Sequence, residues 1–143
     1  MTSFIALALV AFFLHLAWES AHIRLYTQYD GLKGVLPVPV WAALGDVLYT
    51  VFAVLLIAFF KGDILWFQTA TAVDYVLLGV IGFCTALFVE YKAFYFKRWA
   101  YTNAMPIIPG LRVGLSSAVQ KSLLFPLSVW LAVWLVSIIV AIQ

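Results

Sequence analysis

Charge is what this chain has least of. Only 10% of its 143 residues are Asp, Glu, Lys or Arg, against 66% hydrophobic, where a water-soluble domain carries about 25% charged residues. A soluble fold would have no surface to show. Cysteine is nearly absent too: Cys84 stands alone, which excludes an internal disulfide and any CxxC redox or zinc motif and makes a small buried apolar residue its expected role. The net charge of +2 is spread over eight Lys and Arg without the basic stripe that a phosphate backbone needs, so nucleic acid is not an expected partner. The opening Met-Thr-Ser lacks the basic n-region of a signal peptide, and the apolar run behind it is long enough to span, so it reads as a retained helix.

What the chain does have is long apolar runs. At about 20 residues per span, four crossings consume nearly all of it and leave no room for a second, soluble domain. The expectation is an all-α integral membrane protein: one membrane domain, 1–143, bundling four transmembrane helices over about residues 4–25, 40–60, 71–96 and 117–142. Helix 1 should stop in Thr27-Gln28-Tyr29-Asp30-Gly31, and helix 2 at Lys61-Gly62-Asp63, a glycine-containing stop. Ser117-Ala118-Val119-Gln120 fits a capping box at the start of helix 4, and Pro126 should kink that helix by removing a hydrogen bond.

Basic residues set the direction. Arg24, Lys33, Lys92, Lys97, Arg98, Arg112 and Lys121 lie around loops 1–2 and 3–4, whereas Lys61 is alone at the other end. The positive-inside rule then puts those two loops in the cytoplasm and both termini on the non-cytoplasmic side of the cell membrane. Trp41 and Trp99 would anchor at the inner interface and Trp66 at the outer one. A faint internal repeat is also visible. Helices 1 and 3 each carry a Glu short of the cytoplasmic end, then a Tyr-Thr pair (Tyr26-Thr27, Tyr101-Thr102), then a Pro-containing loop; a parallel duplication about an axis along the membrane normal is topologically allowed, although the spacings match poorly.

The polar residues inside the spans carry the functional signal. His15, Glu19 and His22 are four and three residues apart, hence on one face of helix 1. An ionised group at mid-bilayer costs at least ~2.5 kcal/mol, so that face should look into the bundle. Asp46 in helix 2 and Glu90 in helix 3 fall, like Glu19, roughly 9 Å inside the same interface at 1.5 Å per residue. With Gln120 and Lys121 opening helix 4, every span can contribute to one cytoplasm-facing polar pocket. The apolar loop 3–4, with two prolines and two glycines, could cover its mouth as a lid or lie flat among the headgroups.

Four uses compete for such a pocket. One is a mononuclear metal on His15, Glu19 and His22, since Glu19-x-x-His22 is a quarter of the di-iron pattern of four-helix bundles; Glu90-Tyr91-Lys92-Ala93 does not supply a second quarter. Another is acid–base chemistry on a lipophilic small molecule such as an isoprenoid or quinone-like compound, with Glu19, Asp46 and Glu90 as catalytic candidates, because crowded carboxylates cannot all ionise. His15, Trp18, His22, Tyr91, Trp99, Tyr101 and Gln120 would then contact the ligand, with aromatic faces able to stabilise a transient cation. A third is a proton or ion conduit, against which the apolar outer half of helix 1 speaks. The last is a structural role, in which His22, Arg24 and Lys121 neutralise the three carboxylates of an accessory subunit in a larger membrane complex. Interhelical hydrogen bonds in membranes average only ~0.6 kcal/mol, a small return for burying five ionisable groups.

Several of these residues also fall in a pattern. His15-Leu16-Ala17-Trp18-Glu19, Gly45-Asp46, Glu90, and Arg98-Trp99-Ala100-Tyr101 with Met105-Pro106, Pro109, Val113-Gly114-Leu115 and Gln120 together resemble a set of small four-helix bacterial membrane proteins. The likeness covers most of the chain, and its last block is the most specific. It implies the four-helix membrane fold and no activity. Where that family tends to carry Pro after Gly-Leu-Ser, this chain has Ser117.

Overall fold

The computed structural model describes residues 2–27 and 37–142. Segment 28–36, which holds Asp30, Gly31 and Lys33, lies outside the described residues. The fold is all-helical: α1 (Thr2–His22) continues into a 3-10 turn (Ile23–Leu25), followed by β1 (Tyr26–Thr27), α2 (Val38–Lys61), a second 3-10 turn (Trp66–Thr69), α3 (Ala72–Tyr95), β2 (Ala100–Tyr101) and α4 (Leu115–Ile142). All four α-helices are long and apolar enough to cross a membrane.

Local chemistry explains the helix ends. Pro37 precedes α2 and Pro39 sits in its first turn, where no helical N–H is required, so the second proline of the expected loop belongs to the helix. Gly62, at φ 66°, closes α2 in the left-handed region, a conformation glycine adopts freely. The acidic N-terminal clamp is on α3: the Asp74 carboxylate accepts the Thr71 N–H at 2.8 Å and its hydroxyl at 2.9 Å. The expected capping box at Ser117–Gln120 does not form. Helix α4 begins earlier, at Leu115, and both polar side chains reach to other helices instead.

Helix α4 runs on through Pro126, whose missing N–H leaves the Ser122 carbonyl without its helical donor. That carbonyl lies against Gly79, where a Cβ would stand 3.2 Å from it. At Gly82 a Cβ would be 2.2 Å from the Lys121 carbonyl oxygen. Two glycines therefore let α3 and α4 meet backbone to backbone, the close approach that small residues allow in membranes.

The bundle is zoned along its length. Leu7, Val54, Ile57, Leu78, Phe125 and Val129 form an apolar core toward loop 2–3, closed at that end by Trp66 and Phe67. Trp66 is 2% exposed and donates its indole N–H to the Val54 carbonyl at 3.0 Å, so it is a buried plug and not the expected interfacial anchor. Cys84 is exposed on the outer face of α3, where the sequence suggested burial.

The two helical hairpins repeat one another at an offset of 75 residues. Strands β1 and β2 pair antiparallel with Tyr26 opposite Tyr101, and Thr102 N–H bonds the Leu25 carbonyl at 3.0 Å; an antiparallel pair of this register has a local two-fold axis through Tyr26 and Tyr101. Burial follows the same operator. Ser3, Leu7, Ala11 and His15 are buried in α1, as are Leu78, Gly82, Ala86 and Glu90 in α3. Ala43, Asp46, Thr50, Ala53, Val54 and Ile57 in α2 match Ala118, Lys121, Phe125, Ser128, Val129 and Ala132 in α4. The equivalent of Glu90 is thus His15, and not the Glu19 that the sequence repeat paired with it. The two seams between hairpins differ: α1 packs closely on α4, whereas the corresponding seam between α3 and α2 is sparse.

Candidate functional site

The polar half of the bundle is built around three carboxylates, and each is held differently. Asp46 is buried between α1, α2 and α4. One oxygen accepts from Lys121 Nζ at 2.8 Å, and the other lies 2.9 Å from Gln120 Nε2 and 3.2 Å from His15 Nδ1. Thr50 donates its hydroxyl to the Asp46 carbonyl at 2.8 Å and so accepts from His15 Nε2, 3.3 Å away. His15 Nδ1 is also 3.2 Å from Gln120 Nε2. A neutral imidazole accepts there from the amide, and a charged one donates to the carboxylate. Lys121 and Asp46 occupy equivalent positions of the two hairpins, so the ion pair spans the local two-fold.

Glu19 is the least enclosed of the three, with 15% of its side chain exposed. Its oxygens accept from Gln120 Nε2 at 2.8 Å and from His22 Nε2 at 3.1 Å. His22 Nδ1 accepts in turn from Ser116, 2.8 Å away, and the Trp18 indole donates to the same hydroxyl at 3.4 Å. The Gln120 amide must turn its NH2 toward Glu19 and Asp46, since the flipped orientation would set its carbonyl against two carboxylates. That choice leaves Gln120 Oε1 buried without a partner.

Glu90 has no cation partner among the described residues. Four neutral donors surround it: Tyr26 at 2.9 Å and Ser117 on one oxygen, Tyr101 at 2.8 Å and Trp99 Nε1 at 3.1 Å on the other. Burial pushes the Tyr26 and Tyr101 phenols far above their ordinary value of 10, and the neighbouring Glu90 charge adds to the effect. Both therefore remain protonated donors. Because the folded value is raised, this stabilisation is complete below pH 10 and is lost as pH rises beyond it, where the unfolded chain releases protons that the folded one keeps. The midpoint of thermal unfolding in detergent should fall above pH 10, and less steeply in Tyr101→Phe.

A cavity of about 220 Å³ opens beside this network. Its polar lining includes Glu19, Asp46, Glu90, Gln120 and Lys121; its apolar lining comes chiefly from Trp41, Ala42, Gly45 and Tyr49 on α2 and from Trp99. All three expected catalytic carboxylates reach it, with Trp99 and Gln120. No family model, curated protein or solved structure matches this chain.

Other expected site residues do not line the cavity. His15, Trp18 and His22 stand behind it, and Tyr101 serves Glu90. Tyr91 leaves the site altogether, donating to the Leu111 carbonyl at 2.7 Å. His15, Glu19 and His22 do not converge as a metal set, and no group of three His, Cys, Asp or Glu able to hold a metal is found among the described residues. One helical face is not one place: seven residues separate the two histidines by roughly 10 Å along the axis. Loop 3–4 contributes only Arg98 and Trp99 to the lining, and its remainder folds on itself through Tyr101, which accepts the Gly114 N–H at 2.7 Å. Sequence reasoning missed Tyr26, Ser117 and Thr50. Their hydroxyls are unremarkable by type, and only the 75-residue correspondence of Tyr26 with Tyr101 signalled that the two phenols meet.

Proposed function

We propose that this chain is a multi-pass protein of the cell membrane, with loops 1–2 and 3–4 cytoplasmic and both termini on the other side, that takes a lipophilic small molecule into the cavity. The positive-inside count supports the sidedness. The observation that carries the binding reading is the cavity itself: about 220 Å³ of space walled by Trp41, Tyr49 and Trp99 yet floored by carboxylates. An apolar body with a polar head matches both surfaces.

Glu19 is the acid–base candidate. Asp46 is committed to Lys121, Gln120 and His15, and Glu90 to four donors, whereas Glu19 keeps lone pairs free and is backed by His22. A proton taken by Glu19 from one position of the ligand and returned to another gives an isomerisation without net redox change. The buried apolar layer of Leu7, Val54, Leu78, Phe125 and Val129 disfavours a continuous ion path. Native mass spectrometry of the gently extracted protein tests the proposal. A stoichiometric small-molecule mass on the wild type is expected, with the mass retained in Glu19→Gln but the isomer ratio of the released molecule, read by chromatography, changed. Co-release with other subunits and no small molecule would favour an accessory role.

A further inference from the structure

The cavity has a counterpart that is filled. Applying the 75-residue operator, the α4 face of Ser116, Gln120 and Leu124 corresponds to the α2 face of Trp41, Gly45 and Tyr49. On α4, that face is bound to α1: Gln120 bonds Glu19 at 2.8 Å and approaches His15 at 3.2 Å, and Ser116 bonds His22 at 2.8 Å. The matching partners would be Phe94 for Glu19 and Glu90 for His15 on α3, and Lys97, just beyond that helix, for His22. None of these pairs forms. Gly45 has no side chain to extend, and a Cβ built there meets nothing within 4 Å. Ala42, Gly45 and Tyr49 are accordingly half-buried, whereas their equivalents Ser117, Gln120 and Leu124 are buried.

We infer that the cavity is the second seam of a two-fold bundle, left open because Gly45 stands where the other half has Gln120, and that it opens sideways between α2 and α3 toward lipid. This rests on the binding reading only in what it implies for that reading: the ligand enters from the bilayer and belongs to the membrane-partitioned class, not to the water-soluble metabolites. The flanks of the seam agree with lipid contact. Leu44 and Leu48 on α2 and Phe88 on α3 are exposed, apolar surface that only a hydrocarbon phase accepts at this density. The seam also has a chemical reason to stay open. Glu90 is saturated by donors from α4, β1, β2 and Trp99, so it offers α2 nothing to close upon.

Cysteine labelling in reconstituted vesicles tests this without any ligand. In a Cys84→Ser background, Gly45→Cys and, as a second position, Ala42→Cys are exposed to two methanethiosulfonates, one bearing a hexyl chain and one a fixed trimethylammonium charge supplied on both sides. Complete modification by the hexyl reagent and none by the charged one is expected at both positions. Equal modification by the charged reagent would mean a water-facing mouth, and no modification of the folded protein by either would mean a sealed void; each overturns the lateral opening. Adding Gly45→Gln to Ala42→Cys should abolish hexyl labelling, and persistence of labelling would refute the missing side chain as the origin of the space. A protein that carries no small molecule in mass spectrometry would count against binding alone, since labelling reads the opening by itself.

Discussion

Gly45→Leu should leave the protein folded and empty of the proposed small molecule. The two halves of this expectation come from different observations. A Cβ at position 45 meets nothing within 4 Å, so the new side chain grows into the cavity without displacing backbone. Replacing a glycine inside a helix also gains about 0.5–1 kcal/mol of backbone propensity, so the midpoint of thermal unfolding should hold or rise. The ligand, in contrast, loses the space between Trp41, Tyr49 and Trp99 that its apolar body would occupy, and the small-molecule mass on the native protein should disappear. Gly82 has no such room, because its missing Cβ is 2.2 Å from the Lys121 carbonyl oxygen; the two glycines separate a position kept small for packing from one kept small for space. A Gly45→Leu protein that still carries its ligand would place binding elsewhere. One that fails to fold would make Gly45 a packing residue.

Much of the architecture was legible because hydropathy in long runs admits few interpretations. The four helices lie where their apolar stretches do, within a few residues at each end. The common depth of Glu19, Asp46 and Glu90 was legible too, since helical rise alone fixes it once the spans are placed. What rise and periodicity could not supply was direction around the axis and the partners arriving from outside the helices. Tyr26, Tyr101 and Trp99, three of Glu90's four donors, come from the short connecting segments. Lys121 pairs with Asp46 through a crossing of α2 and α4 that no spacing within either helix encodes. The Ser117-x-x-Gln120 signature failed because two polar residues three apart on a helix can equally well face two neighbouring helices. The repeat was hidden for a related reason: Leu7 and Gly82, or His15 and Glu90, share a burial environment and not a side-chain type, so residue identity carried little of the correspondence that burial makes plain.

Removing the carboxylate of Glu90 should cost more stability than removing that of Glu19, although both line the same cavity. Glu90→Ala leaves the phenols of Tyr26 and Tyr101, the Ser117 hydroxyl and the Trp99 indole N–H facing a void. Each buried donor left unmade costs roughly 1–3 kcal/mol; cavity water can satisfy some of them, so a total loss of at least about 3 kcal/mol is expected. Glu90→Gln should fall between, since its amide keeps one acceptor oxygen while turning an NH2 toward two donors. Glu19→Gln gives up less, because its carboxylate holds one bond per oxygen, to Gln120 and His22, and already reaches solvent-accessible space. Thermal unfolding of the three variants in one detergent should therefore rank Glu19→Gln closest to wild type, then Glu90→Gln, then Glu90→Ala. A Glu90→Ala protein as stable as Glu19→Gln would mean that the four donors find other partners, and that the segments carrying Tyr26, Trp99 and Tyr101 are held by their backbone ladder and not by this carboxylate.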